Sequence, residues 1–217
     1  AQLAAGQVAN GLAVLEKLRQ TKPRDFAVEY LSGMAFHEQK NYQQALQHMT
    51  TAEAIAAERD TNRLTTGLYF QLGATAERAG ERQLAVRYFE KSIALDPDHA
   101  DALNFLGYMW AEQKENLKRA RELIERALKL EPDNDAFLDS MGWVLFQQGD
   151  AAGALPYLLR AVAKLEAPDA TVFDHLGDVY ASLKEMDKAR EAWAKSVAAE
   201  PSEKVQKKLE AIVPLPQ

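Results

Sequence analysis

Residues 139–161, DSMGWVLFQQGDAAGALPYLLRA, contain a glycine within an apolar run, a turn signal and then a second apolar run. Gly142 lies in the first run, and Gly149 precedes the break before the second. The second run has a small, a large and a small residue at spacings of four and three: Ala154, Leu158 and Ala161. Such spacings are typical of one face of a helix, whereas a strand alternates every second residue. The stretch therefore predicts two helices joined by a short turn.

The same pattern recurs along the chain. A glycine occupies the equivalent position in Gly33, Gly73, Gly107, Gly142 and Gly177. An alanine follows each glycine after 12 or 13 residues, as Ala45, Ala85, Ala120, Ala154 and Ala189. A glycine inside a helix costs about 1 kcal/mol relative to alanine, so a glycine recurring at one phase indicates a packing requirement. We infer that each pair of helices crosses closely where these small residues meet.

Proline marks the ends of most of these blocks, because it ends one helix and is tolerated in the first turn of the next. Three blocks have a proline at this position, namely Pro97, Pro132 and Pro201. In the fourth block the proline, Pro168, lies two residues further along the chain, and the first block has Ala57 instead. The interval from Gly33 to Gly73 contains about six extra residues, which predicts a longer second helix and a displaced loop in the first block. We predict a partial repeat or N-terminal cap at 1–23, helix pairs at 24–58, 62–97, 98–132, 133–168 and 169–200, a capping helix at 201–213 and a tail at 214–217.

The repeated leucine-glycine, aromatic, alanine and proline positions resemble the tetratricopeptide repeat family, whose unit is about 34 residues long. The resemblance implies an all-α fold, a right-handed α-solenoid of antiparallel helix pairs with a C-terminal capping helix. The stretches ALNFLGYMWAE and AFLDSMGWVLFQQGD resemble the C-terminal repeats of bacterial periplasmic or outer-membrane tetratricopeptide lipoproteins. Some of those proteins are adaptors of a carboxyl-terminal processing protease. This resemblance implies the bacterial periplasm or outer membrane as the location, with the cytoplasm as the alternative.

In such a superhelix the first helix of each pair lines the concave wall, at positions three before, one after and four after the glycine. We predict a protein-binding face that contains Tyr30, Met34, Phe70, Asn104, Tyr108, Asp139, Trp143, Phe146, Asp174 and Asp178. Aromatic residues gathered on one surface indicate an interaction site, although each of them can instead be buried between neighbouring repeats. A clamp for chaperone C-terminal carboxylates needs cationic donors, and this face carries acids instead. We expect a protein or peptide partner of apolar and basic character.

Other functions find little support in the sequence. The net charge of −6 disfavours a nucleic-acid partner, the chain has no cysteine, and no apolar stretch is long enough to span a membrane. Ser140 lacks a Gly-x-Ser-x-Gly turn, and the four histidines fall at unrelated phases. We therefore predict a non-catalytic interaction scaffold without cofactor or metal. The alternatives are self-association as a homo-oligomer or an accessory role in a larger enzyme or envelope assembly.

Overall fold

The computed structural model describes residues 2–211, with side chains from residue 7 onward. Within this range the chain forms α-helices joined by short connections, with one 3-10 turn and no strand. The all-α class predicted from the sequence is confirmed. The predicted tail at 214–217 and the last two residues of the predicted capping helix lie outside the described residues.

Two compact units divide the chain, residues 1–102 and residues 103–217. Helices of unit 1 are α1 Gln2–Thr21, α2 Phe26–Glu38, α3 Tyr42–Arg59, α4 Thr66–Arg78 and α5 Arg82–Leu95, with the 3-10 turn Thr61–Arg63 after α3. Helix α6, Ala100–Glu112, spans the division. Helices of unit 2 are α7 Leu117–Leu130, α8 Asp135–Gln147, α9 Ala151–Lys164, α10 Ala170–Ser182, α11 Met186–Ala199 and α12 Glu203–Ala211.

Turn and cap residues set the helix ends. Gly149 has a φ of +87° and Gly80 a φ of +80°, a left-handed backbone conformation that glycine adopts without steric cost. Each glycine follows the first helix of a pair, so the chain reverses and the second helix starts within two residues. Asp150 then caps α9 by accepting a hydrogen bond from the backbone N–H of Gly153 at 2.8 Å. The turn predicted at Gly149 is therefore present.

The helices of each pair cross at the recurring glycine. A β-carbon added at Gly142 would lie 2.6 Å from Cγ of Leu158, and one added at Gly107 would lie 2.9 Å from the carbonyl oxygen of Ala120. Both separations are below van der Waals contact, so only a residue without a side chain lets the helices approach this closely. The packing requirement inferred from the sequence is thus met by direct contact between α8 and α9 and between α6 and α7.

Two elements depart from the regular pair. Helix α3 has 18 residues, whereas α5 has 14, and the 3-10 turn follows it, so the extra residues after Gly33 extend the helix and its connection. Helix α12 has no second helix among the described residues and covers the end of unit 2. Its Val205 is buried in a cluster with Ala189 and Trp193 of α11. An apolar contact of this kind is what a capping helix is expected to supply.

Candidate interaction cleft

The predicted binding residues divide between the two units. Tyr30, Met34 and Phe70 belong to unit 1 and are half-buried. Tyr30 stacks on Phe26 with ring centres 5.7 Å apart, and Phe70 lies 5.1 Å from the ring of His99. The other seven residues belong to unit 2.

A cleft of about 670 Å³ in unit 2 brings five of those seven residues together. Its lining includes Tyr108, Trp143, Phe146, Asp174 and Asp178. Lys204 and Val205 of α12 also line it, as do residues from the connection that precedes this helix. The remaining two residues, Asn104 and Asp139, are buried and lie outside the lining.

His175 is a buried residue of the cleft lining that contacts two of the predicted residues. The sequence did not indicate this role. Its Nδ1 lies 2.9 Å and 3.0 Å from the two carboxylate oxygens of Asp139. Its ring stacks on Trp143 with centres 3.9 Å apart and planes inclined by 12°. Burial disfavours the charged imidazole, but the Asp139 carboxylate and its hydrogen bond outweigh this effect, so the pKa of His175 is raised. Asp139, which we expected on the binding face, is 5% exposed and pairs with His175.

The aromatic side chains are buried to different degrees. Trp143 is only 7% exposed, with Phe146 stacked against it at 5.3 Å. Phe146 and Tyr108 are half-buried and offer the accessible aromatic surface of the lining. Burial, followed by the negative charge of Glu112, raises the pKa of Tyr108, so its phenol stays protonated and able to donate a hydrogen bond.

Asp174 and Asp178, here called the acidic pair, lie one turn apart on α10 and are held by a lysine of α12. Nζ of Lys208 lies 2.6 Å from Oδ1 of Asp174 and 2.5 Å from Oδ1 of Asp178. The indole N–H of Trp193 also donates to Asp178 Oδ1, at 3.1 Å. The sequence contained a signal for this contact, because Lys208 follows the apolar Val205 by three residues and so shares its helix face.

Two buried polar atoms of unit 2 lack a hydrogen-bond partner among the described residues. They are Nε1 of Trp143 and Oδ1 of Asn104. A buried donor without an acceptor costs about 1–3 kcal/mol, so such atoms are rare in folded proteins. Trp143 belongs to the cleft lining, and its indole Nε1 is buried there without an acceptor.

The structure gives no sign of a metal centre or a membrane span in residues 2–211. Within that range no cluster of three or more His, Cys, Asp or Glu is arranged to hold a metal ion. The helices there are also too short or too polar to cross a bilayer.

Antiparallel helix pairs that cross at a recurring glycine define this molecule as a helical-repeat protein. A family model described as Tetratricopeptide repeat matches this chain at residues 1–60, 70–135, 111–171 and 140–203. The chain therefore belongs to the tetratricopeptide repeat family, and the resemblance to this family noted from the sequence is confirmed. No curated protein matches the chain in sequence.

Several solved structures share this fold. The APC/C hetero-tetramer Cut9–Hcn1 is 17% identical, with a TM-score of 0.76, over 92% of this chain and 39% of that one. PilW, a widely conserved type IV pilus biogenesis factor, is 18% identical, with a TM-score of 0.74, over 95% of this chain and 93% of its own. PilF of Pseudomonas aeruginosa is 20% identical, with a TM-score of 0.64 and 87% of each chain covered. At these identities the comparison shows the fold.

Proposed function

We propose that the protein is a non-catalytic scaffold that binds a segment of a partner protein in the cleft of unit 2. Tetratricopeptide repeat proteins are generally non-catalytic scaffolds for protein–protein interaction, which is the level that family membership supports. The observation that carries the proposal is the lining of the cleft, in which the unpaired Trp143 indole lies beside half-buried aromatic surface and a pair of carboxylates.

The composition of the lining defines the partner segment. Tyr108 and Phe146 offer apolar surface to an apolar side chain, and burying such surface contributes about 25 cal/mol per Å². The indole N–H of Trp143 would donate to a backbone carbonyl of the segment. Asp174 and Asp178 favour a cation by charge complementarity. A volume of about 670 Å³ is suited to a few side chains of an extended or helical segment.

The unit 1 residues of the predicted face form a separate part of the proposal. Tyr30, Met34 and Phe70 are half-buried and present apolar surface to solvent. We propose that they form a protein-binding surface of unit 1 itself, which binds more weakly than the cleft of unit 2. Hot spots concentrate where side chains become fully desolvated, which an open surface does not provide.

Self-association is the second candidate function. Val14 and Leu18 of α1 and Leu31 of α2 are 56%, 37% and 52% exposed, which is unusual for large aliphatic side chains close together in sequence. Light scattering over a dilution series tests this candidate. A monomer at every concentration would contradict it, whereas a mass that rises with concentration and falls back in Leu31→Glu would support it.

The proposed binding site is tested by selecting peptides from a display library against the wild-type protein. Their affinities for Phe146→Ala, Tyr108→Ala and Leu159→Ala are then measured by fluorescence anisotropy. Phe146→Ala and Tyr108→Ala should weaken binding about tenfold or more, as expected for aromatic hot spots. Leu159, which is 44% exposed on α9 and lies outside the lining, is the matched control and should change affinity less than twofold. Peptides that bind all four proteins equally would place the site elsewhere.

A further inference from the structure

We propose that Lys208 is an internal occupant of the acidic pair, whose two carboxylates belong to the cleft lining, and that an arginine of the partner segment displaces it. This inference rests on the proposed function and specifies the chemistry and regulation of the same cleft. It assigns α12 a second role beside capping the repeats, because the helix that covers the end of unit 2 also supplies the competing cation.

The contacts of Lys208 reproduce those that a bound cation would make. Its ammonium bridges Asp174 and Asp178 at 2.6 Å and 2.5 Å and lies 5.6 Å from the centre of the Trp193 ring. The second cation, Lys204, is farther away, with Nζ 3.9 Å from Oδ2 of Asp174. Two carboxylates therefore share one close cation, and the site keeps a net preference for positive charge.

The anchoring of α12 makes this occupant displaceable. The helix has nine residues, a length at which an isolated helix is marginal in water. Val205 is its one buried residue, and Leu209 is half-buried beside it. The side chain of Lys208 is 20% exposed and its two partners are 13% and 18% exposed, so displacing the lysine has a cost that the incoming cation must offset with its own bonds to both carboxylates. Elements with few buried apolar contacts open at low free-energy cost.

Arginine fits the acidic pair better than lysine does. A guanidinium presents five N–H donors in a planar fork, so it can bond to both carboxylates at once and stack on an aromatic ring. Trp193 provides such a ring next to Asp178. The orphaned indole N–H of Trp143, a residue only 7% exposed, provides an independent indication of a ligand in the same cleft. A segment that carries arginine would satisfy this donor with its backbone carbonyl.

The test uses the full chain and two defined peptides. The first is an acetylated leucine–arginine–leucine–arginine–leucine amide, and the second has citrulline, the uncharged isostere, in place of arginine. Binding is followed through the indole N–H signals of Trp143 and Trp193 in ¹⁵N-labelled protein. The wild type is compared with Lys208→Met and with Lys207→Met. Lys207 is the matched control, because it pairs with Glu203 at 2.7 Å on the same helix and is 71% exposed.

We expect Lys208→Met to bind the arginine peptide about fivefold more tightly than the wild type, since the peptide no longer competes with a partly exposed ion pair. Lys207→Met should stay within twofold of the wild type. The citrulline peptide should bind all three proteins weakly and to the same degree. A Lys208→Arg variant, which keeps a cation on the acidic pair and preserves α12, should bind no more tightly than the wild type.

Each alternative result has a distinct meaning. Equal affinities of wild type, Lys208→Met and Lys207→Met for the arginine peptide would overturn displacement but leave the cleft as a binding site. Equal binding of the citrulline peptide would overturn the arginine preference. Signals of Trp143 and Trp193 that stay unchanged in every protein would contradict this inference, whereas the proposed function fails only if selected peptides are indifferent to Phe146 and Tyr108.

Discussion

At the scale of single residues, the glycine on the first helix of each pair sets the distance between the two helices. In unit 1, a β-carbon at Gly73 would lie 2.7 Å, 2.8 Å and 3.0 Å from three ring atoms of Phe89, which is fully buried. Gly67 is on the same helix, α4, but a β-carbon there would meet no atom within 4 Å. Alanine substitutions at the two positions therefore distinguish the effect of packing on stability from the effect of helix propensity.

We predict that Gly73→Ala lowers the free energy of unfolding by about 1–3 kcal/mol, because the buried ring has no room to move away. Gly67→Ala should leave stability unchanged or raise it by up to about 1 kcal/mol through helix propensity. Urea unfolding followed by circular dichroism measures both variants. Equal effects of the two substitutions would mean that the recurring glycines do not reflect close crossing.

The His175–Asp139 pair gives a second prediction at this scale. The folded protein holds the His175 proton more tightly than the unfolded chain does, because its pKa is raised above the ordinary value of 6.5. The stabilisation from this proton is therefore complete below about pH 6.5 and is lost as the pH rises through the raised pKa. His175→Gln should destabilise by about 3 kcal/mol near pH 6, since it leaves Asp139 buried without its partner.

The difference between wild type and His175→Gln should then shrink as the pH rises through the raised pKa of His175, because the native imidazole loses its charge there. Urea unfolding at a series of pH values measures this difference. A gap that stays constant over the range would mean that folding does not raise the pKa of His175.

The residues of the cleft show which parts of a site a sequence can indicate. The phase of the glycines was sufficient to gather Tyr108, Phe146 and Asp174 on one surface, because a helix places residues by a fixed period. It could not show that Asp139 is paired with His175, which is 36 residues away. Pairing depends on side-chain directions between neighbouring repeats, and the periodicity of one helix holds no information about them.

At the scale of elements, α1 is attached to α2 by a small polar network. Arg19 donates from Nε to Glu29 Oε1 at 2.8 Å and from Nη2 to the Ser32 hydroxyl at 2.9 Å. His48 of α3 lies 2.6 Å from the other oxygen of Glu29. Burial works against the Glu29 carboxylate, but its hydrogen bonds to His48 and Arg19 outweigh this and lower its pKa. A charged Glu29 therefore joins three helices.

We predict that Arg19→Met detaches α1 locally, because the buried Glu29 loses a charge-assisted hydrogen bond worth about 1–3 kcal/mol. Hydrogen exchange of the α1 amides should accelerate about tenfold or more, while exchange in α4 and α5 stays unchanged. Lys17→Met is the control, as Lys17 is exposed on the same helix. Similar exchange in both variants would show that apolar contacts alone hold α1.

The lengths of some helices could be predicted from the sequence, whereas those of others could not. Regular pairs such as α8 and α9 were predicted as two helices because Gly149 and the apolar spacing both mark the turn. The six extra residues after Gly33 predicted a longer second helix and a displaced loop, but the number that enters each could not be predicted, since alanine-rich segments continue a helix while Asp60 and Thr61 favour a turn. The structure divides them between α3 and the 3-10 turn Thr61–Arg63.

At the scale of the whole molecule, helices contact mainly their neighbours in sequence within each unit, such as α2 with α3 and α10 with α11. This is why a local repeat pattern was sufficient to predict the fold class, since stability arises from each pair and its adjacent interfaces. The electrostatic field, unlike the helix contacts, depends on the whole chain, because all 32 acidic and 26 basic side chains contribute to it. On the proposed function, the net charge of −6 would attract a cationic segment before it reaches the cleft.

We predict that salt slows the capture of the arginine peptide more than it speeds release. At about 0.1 M salt the Debye length is about 10 Å, so the attraction of the net charge is screened while contacts with Asp174 and Asp178 persist. The association rate constant should fall about tenfold between about 20 mM and about 500 mM NaCl, with a much smaller change in dissociation. Stopped-flow tryptophan fluorescence measures both, and the citrulline peptide should associate at a rate that salt leaves nearly constant. Parallel slowing of the two peptides would show that steering by charge does not guide the partner to this protein.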